Sequence, residues 1–314
     1  MGQIGDSPRP PVAIAVDVGG TSIKGALIDP AGTVRHTARF PTRAERGPDA
    51  VVDTVVEAGS ELAGTARDLG FAPVAVGVAV PGVVDEEQGV AVWSANLGLR
   101  QVPLRDLVAE RLGVPTALGH DVRAGGLAEA RLGAARGARH VLFVAIGTGI
   151  AGVHLVGGRG HAGAHGAAGE IGHVVVRPGG PGCGCGTRGC LEAVASAAAV
   201  GRAYTTRTGR PATAAEVAAR AANGEPDAVE VWREAVDALA DGLLVGLTML
   251  DPSVVVLGGG LAEAGDLLLT PLRRAVEARL TFQRMPELVR AELGDRAGCL
   301  GAGLLALSLI EEER

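Results

Sequence analysis

Aromatic residues are scarce: four Phe, two Trp and one Tyr in 314 residues. That is too few ring faces for a base-stacking platform. With a formal net charge of −6, no broad basic footprint for nucleic acid is expected either. Lysine is scarcer still. Lys24 is the single lysine among 29 basic residues, and it follows Ile23. A Walker A loop needs Gly-Lys-Ser/Thr, so P-loop chemistry is excluded, and Schiff-base catalysis would have to use Lys24. Long apolar runs are missing. The most apolar tracts, residues 242–250 and 297–310, are shorter than the ~20 residues a membrane-spanning helix needs. Residues 1–11 are polar, without the apolar stretch of a secretory signal. The expectation is a cytoplasmic protein with no nucleic-acid or membrane partner. Glycine and proline are plentiful (49 and 17), but no G-X-Y period marks a collagen. With 47% hydrophobic and 20% charged residues the chain has the composition of a folded protein. Its length suits two domains.

The pattern along the chain is α/β, stated twice. Strands are expected at 12–18, 23–29 and 33–40, joined by tight turns as an antiparallel meander. A helix is expected over 48–69, where Val51, Val52, Val55, Val56 and Leu62 fall near helical spacing and Gly70 stands just past the end. A strand at 74–80 stops at Pro81-Gly82. A short helix at 104–112, a strand at 116–119 and a helix from Asp121 follow. The second half starts again with strands 140–146 and 152–156. Helices 191–208, 213–223 and 226–250 come next, then strand 253–257, helix 265–280, strand 288–292 and helix 297–312. Two halves with the same β-turn-β opening predict duplicated α/β domains around a cleft.

Three glycine turns could bring backbone N–H groups up to phosphate oxygens. They are Asp17-Val18-Gly19-Gly20-Thr21, Gly147-Thr148-Gly149 and Gly258-Gly259-Gly260. Two other matches are decoys. Gly147, Gly149 and Gly152 fit the spacing of a dinucleotide fingerprint, but that fingerprint must open a helix, and residues 151–156 read as a strand. Gly184, Gly186 and Gly189 follow no strand. A nicotinamide-cofactor reading is therefore rejected.

Three of the four cysteines, Cys183, Cys185 and Cys190, fall within eight residues, and His173 stands ten residues before the first. The spacing H-x9-C-x-C-x4-C matches a closed Cys₃His zinc site. Disulfide pairing fits three clustered cysteines poorly, and the C-x-x-C of redox catalysis is absent. With all four positions filled by protein, the zinc is expected to be structural. Cys299 reads as a core thiol.

Together with Val80-Pro81-Gly82-Val83-Val84-Asp85, Glu170-Ile171-Gly172-His173 and Cys190-Leu191-Glu192, the first glycine turn and the cysteine pattern resemble the ROK family, a group of repressors and sugar kinases. The resemblance runs from Val12 to about Ala306. It implies the two-domain actin-like ATPase fold, made of ribonuclease H-like duplicated α/β domains, with a zinc-binding loop. The small domain would comprise residues 1–120 plus 297–314 with the first phosphate turn. The large domain, 121–296, would carry the second phosphate turn, the zinc loop and the adenosine turn. It implies an ATP-dependent kinase that places the γ-phosphoryl group on a hexose hydroxyl, often O6, and a homo-oligomer, dimer or tetramer. Glucokinase-like activity is expected, with N-acetylglucosamine or N-acetylmannosamine kinase as the nearest variant and a sugar-binding regulator as the rival. Family repressors carry an N-terminal helix-turn-helix of several dozen residues, whereas eleven residues precede the first expected strand; the expectation is the kinase branch.

The resemblance also assigns roles. Asp121 would accept the proton of the sugar hydroxyl; an Asp between a strand and a helix is equally at home as a helix N-cap. Asp17 would orient Mg²⁺ through water. Gly19, Gly20, Thr21, Gly147, Thr148 and Gly149 would bind the β- and γ-phosphates. Lys24 faces either phosphate or solvent, and Gly259 and Gly260 lie on the adenosine side. Gly82, Asn96, His120, Asp121, Glu170, His173 and Glu192 would contact the sugar. Many relatives read Asn-Asp-x-Asn at the catalytic aspartate. This chain reads His120-Asp121-Val122-Arg123, which leaves the identity of the sugar open.

Overall fold

The structure is a computed structural model, and it describes residues 8–312. The chain divides into two compact units, one of residues up to 128 together with those from 296 onward, the other of residues 129–295.

The first unit opens with β1 (Pro11–Val18), β2 (Ser22–Ile28) and β3 (Val34–Pro41), the antiparallel meander expected from the turn residues. Helix α1 (Pro48–Asp68) follows. Its end is closed by Gly70, with Phe71 N–H donating to Ala66 O at 2.8 Å, the bond pattern that ends a helix at a left-handed glycine. Strand β4 (Ala72–Val80) returns parallel to β1. Three short strands, β5 (Val83–Asp85), β6 (Val90–Ser94) and β7 (Leu99–Val102), form a separate sheet. Helix α2 (Leu104–Leu112), strand β8 (Thr116–His120) and helix α3 (Asp121–Leu132) complete this part. The main sheet has the order β3-β2-β1-β4-β8, with β1, β4 and β8 mutually parallel.

The second unit repeats that plan. Strands β9 (His140–Ile146), β10 (Ile150–Val156) and β11 (Arg159–Gly160) run antiparallel. Helices α4 (Leu191–Ala195), α5 (Ala197–Thr208), α6 (Ala214–Ala222) and α7 (Pro226–Leu250) precede β12 (Val254–Gly258). Helix α8 (Asp266–Glu277) and β13 (Glu287–Arg290) follow, and α9 (Ala297–Glu312) belongs to the first unit. The sheet order is β11-β10-β9-β12-β13, with β9, β12 and β13 parallel. Strand order and direction thus match the first sheet position by position.

The expected single helix over 191–208 is two helices. Ser196 adopts an extended conformation (φ −66°, ψ 159°), and its hydroxyl accepts the N–H of Ala199, capping α5. Thr213 and Glu216 form a reciprocal capping box on α6. Each unit has its own apolar core. In the first, Val12, Ile14 and Val16 of β1 pack with Val51, Val55 and Leu62 of α1. In the second, Leu142 and Val144 of β9 pack with Leu239, Leu243 and Leu247 of α7. Among the described residues no helix is long and apolar enough to cross a membrane.

Candidate active site

Parallel strands end at one edge of a sheet, and in α/β folds that carboxyl edge is where ligands bind. In the first unit the edge carries the turn after β1, Gly82 after β4 and Asp121 after β8. The turn is drawn in by Gly19 N–H donating to Ser22 O (3.0 Å) and is pinned by the buried Thr42, whose hydroxyl donates to Gly19 O at 2.6 Å. Gly20 and Thr21 stay exposed at its tip. Asn96 lies beside it: a Cβ placed on Gly20 would stand 3.8 Å from Asn96 Cβ. Gly82, at φ 107°, runs so close to Trp93 O that a side chain would collide with it. The glycine therefore lets the chain leave β4 against β6.

Asp17 pairs with Lys24 across β1 and β2, and Lys24 pairs with Arg39 across β2 and β3. Directly opposed residues point to the same face, so an acid and two cations form one row. The Asp17 carboxylate rests on the start of α9, where a Cβ on Gly298 would lie 2.8 Å from Oδ2. That end of a helix favours negative charge.

Asp121 is the first residue of α3, and its side chain is about one-third exposed (32%). Val122 N–H donates to Asp121 Oδ1 (2.7 Å) and to His120 Nδ1 (3.2 Å). His120 is buried, with Nδ1 3.4 Å from Asp121 Oδ1. An imidazole that accepts at Nδ1 carries its proton on Nε2. Arg123 is buried too and donates from Nε to Glu86 Oε1 at 2.7 Å. Sequence reasoning did not single out Glu86.

In the second unit, Gly147-Thr148-Gly149 joins β9 to β10, and Gly147 N–H closes the turn onto Gly149 O at 2.9 Å. Because β9 and β12 are parallel neighbours, Gly259 arrives beside this turn. A Cβ on it would stand 2.5 Å from Ile146 O. Two of the three glycine turns are therefore adjacent, with Gly260 exposed next to them.

Glu192, in the first turn of α4, accepts Ile150 N–H at Oε2 (3.0 Å). The same oxygen lies 2.5 Å from where a Gly149 Cβ would be. Its other oxygen lies 4.0 Å from Cys183 Sγ. Glu192 thus connects the glycine turn to the cysteine cluster, a contact its sequence position does not announce.

The ligand atoms of His173, Cys183, Cys185 and Cys190 all lie within 4.8 Å of one another. With Zn–S near 2.3 Å and Zn–N near 2.0 Å, a tetrahedral site separates sulfurs by ~3.8 Å and sulfur from nitrogen by ~3.6 Å. Cys185 Sγ and Cys190 Sγ are 3.7 Å apart, and His173 Nδ1 is 3.7 Å from Cys183 Sγ. The residues fit a zinc ion. The Thr187 N–H and the Cys183 thiol hold the Cys185 thiol down at about 6, whereas burial and the neighbouring thiols push Cys190 up to about 12. Zinc must therefore displace protons on binding. His173 turns its other nitrogen, Nε2, to Glu170 Oε2 at 3.7 Å.

The ROK family description matches residues 13–308. The glucokinase of Thermotoga maritima is 36% identical over 316 residues, covering 95% of this chain and 97% of that protein. The N-acetylmannosamine kinase of Citrobacter koseri is 31% identical, covering 93% of this chain and 98% of that protein. The crystal structure of a ROK family glucokinase from Streptomyces griseus in complex with glucose and AMPPNP superposes with a TM-score of 0.79. It is 31% identical and covers 95% of this chain and 99% of that one. The fold, the paired glycine turns and the match along nearly the whole sequence have one explanation: the chain belongs to the ROK family.

Proposed function

We propose that this protein is an ATP-dependent hexose kinase, glucokinase-like, that transfers the γ-phosphoryl group to a sugar hydroxyl, O6. The observation that carries the reading is the shared carboxyl edge in the first unit, where a pinned glycine turn and a partly exposed aspartate at a helix start stand on parallel strands of one sheet. The similarity to the Thermotoga maritima and Streptomyces griseus glucokinases supports it.

Phosphoryl transfer asks the protein for positioning and charge neutralisation more than for covalent chemistry. Asp121 accepts the proton of the attacking hydroxyl. Backbone N–H groups of Gly20 and Thr21, and of Thr148 and Gly149, hold the β- and γ-phosphates, while the N–H groups of Gly19 and Gly147 close the two turns, with Lys24 adding positive charge on the strand beyond the first turn. Asp17 would hold Mg²⁺, and the ion, when bound, would supply neutralisation of phosphate charge. Gly259 and Gly260 take the adenosine side. Gly82, Asn96, His120, Glu170, His173 and Glu192 select the sugar. His173, Cys183, Cys185 and Cys190 would hold a structural zinc, which supplies no chemistry to the transfer. Through it the loop bearing Glu170 and His173 and the start of α4 bearing Glu192 are kept in register. The same reading expects a cytoplasmic homo-oligomer, dimer or tetramer.

A second reading, N-acetylhexosamine kinase, is favoured by the Citrobacter koseri relative. A regulator that binds sugar without turning it over is the third. ADP release from Mg²⁺-ATP is measured with glucose, mannose, fructose, N-acetylglucosamine, N-acetylmannosamine and allose. Release with glucose supports the first reading, and release only with an N-acetylated sugar replaces it by the second. Silence with every sugar, while sugar binding persists, leaves the regulator.

A further inference from the structure

On the reading of Asp121 as the base, we propose that Glu86 is its positioning residue, acting with Arg123 as a clamp on both sides of the catalytic aspartate. One carboxylate oxygen does the holding. Glu86 Oε1 accepts the backbone N–H of His120 at 3.1 Å and Nε–H of Arg123 at 2.7 Å. These are the residue before Asp121 and the residue two after it. Arg123 also donates to Val84 O at 3.4 Å, so the guanidinium ties α3 back to β5.

The turn that presents Glu86 is itself anchored. Gly89 N–H closes on Asp85 O (2.9 Å), Gln88 N–H donates to Asp85 Oδ1 (2.9 Å), and Arg105 on α2 donates to Glu87 O (2.9 Å). On the other side, β8 has no slack. A Cβ on Gly119 would stand 2.5 Å from Leu305 Cδ1 and 3.7 Å from Glu86 Oε1. Asp121 thus sits on a strand-to-helix junction fixed from outside by one anion.

The pair is charged for a physical reason. The Arg123 side chain is 7% exposed, and a cation so placed needs a compensating charge. Glu86, 35% exposed, supplies it from the hairpin. A charge-assisted bond of 2.7 Å is directional as well as strong. It restrains the first turn of α3, whose rotation would swing the Asp121 carboxylate. A displacement of ~1 Å at a reacting group can cost about 100-fold in rate. The clamp acts on kcat through Asp121 and touches the sugar side through His120, whereas neither Glu86 nor Arg123 is assigned to the nucleotide.

The test uses the full chain and three variants. Glu86→Ala is expected to lower kcat by about 100-fold, with KM for ATP unchanged. Glu86→Gln keeps the acceptor oxygen and loses the charge, so its kcat should fall in between. Glu86→Ala/Arg123→Met also removes the buried cation that Glu86 neutralises, so its melting temperature should return toward that of the parent while kcat stays low. If kcat recovers together with the melting temperature, the pair is only structural and the proposal is overturned. It is equally overturned if Glu86→Ala melts early but turns over normally. Asp121→Asn, run alongside, separates the two levels. An inactive Asp121→Asn with a fully active Glu86→Ala removes the clamp alone, whereas an active Asp121→Asn removes the base assignment and the clamp with it.

Discussion

Gly259 and Gly260 look interchangeable in the sequence, and the structure predicts opposite responses to the same substitution. Gly259 adopts φ 80° and ψ 171°, a region open in practice to glycine alone, so another residue there carries strain of roughly 1–3 kcal/mol. Its Cβ would also stand 2.5, 2.6 and 2.7 Å from Ile146 O, C and N. All three are backbone atoms at the end of a central strand whose residues 141–145 are laddered to 254–258. The neighbour cannot swing away, and overpacking of this kind costs about 1–3 kcal/mol. Gly259→Ala should therefore destabilise the second unit by roughly 2–6 kcal/mol, which lowers its melting temperature by at least about 4 °C. Gly260→Ala is the matched control. Its Cβ would meet nothing within 4 Å, and its φ lies outside the glycine region. A neutral change, or a gain of up to ~1 kcal/mol from a stiffer unfolded chain, is expected. Calorimetric melts of both variants check the stability. ATP titrations check whether the shifted turn also weakens nucleotide binding. If the two variants melt together, the argument from backbone geometry is wrong.

Asp121→Asn should lower kcat by about 10²–10⁴-fold while sugar binding, measured by calorimetry, persists; retained turnover rejects the base role. Cys185→Ser should yield protein without stoichiometric zinc in which residues 173–190 become protease-sensitive. A zinc-free protein as resistant as the parent rejects the structural role of the cluster. Asp241 predicts an acid effect. Burial alone would raise its pKa, but hydrogen bonds from Arg177 and Arg279 (2.6 and 2.7 Å) bring it below the ordinary value. A carboxylate depressed in the folded state contributes stability that is present above its unfolded pKa, near 3.9, and lost as pH falls through the lower folded value. Asp241→Asn should flatten the stability–pH curve below about pH 4. An unchanged acid slope in urea titrations rejects the assignment.

The long elements were legible because their signals are local. Helix α7 starts at Pro226 and ends at Asp251 in a left-handed conformation, and its apolar positions recur at helical spacing. The His/Cys cluster was legible for the same reason, since its four side chains come from one stretch of eighteen residues, 173–190. What escaped is non-local or short. The β5–β7 sheet is built of strands of three to five residues, too brief for a periodic signal. Ser196 broke a helix that propensity alone would continue, by offering its hydroxyl to Ala199. Glu86 finds Arg123 37 residues away. Glu129 is wholly buried because its carboxylate accepts N–H groups from Ala134, Glu292 and Leu293, the last 164 residues distant. No window of sequence contains such a pair, so only the fold reveals it.

The duplicated sheets let two unlike insertions reach corresponding turns. Both units place a glycine turn between the first two strands of the same 3-2-1-4-5 arrangement. A turn made of glycine has backbone donors but no side chain with which to orient a ligand, so any side chain beside it comes from elsewhere. In the first unit it comes from the segment after the fourth strand, where the β5–β7 sheet sets Asn96 beside Gly20. In the second it comes from the segment after the third strand, where the cysteine loop leads into α4 and sets Glu192 against Gly149. The two segments are steadied differently. The β5–β7 sheet has ladder hydrogen bonds and a buried floor of Val84, Ala91, Leu97 and Leu99. The cysteine loop is rich in glycine and buries little besides Cys190, so on the proposed reading a metal crosslink would replace the core it lacks. This contrast orders the consequences of damage. Loss of zinc should loosen Glu192 and the turn it touches while leaving Asn96 and Gly20 in place, so nucleotide and sugar affinities should fall without unfolding of the first unit.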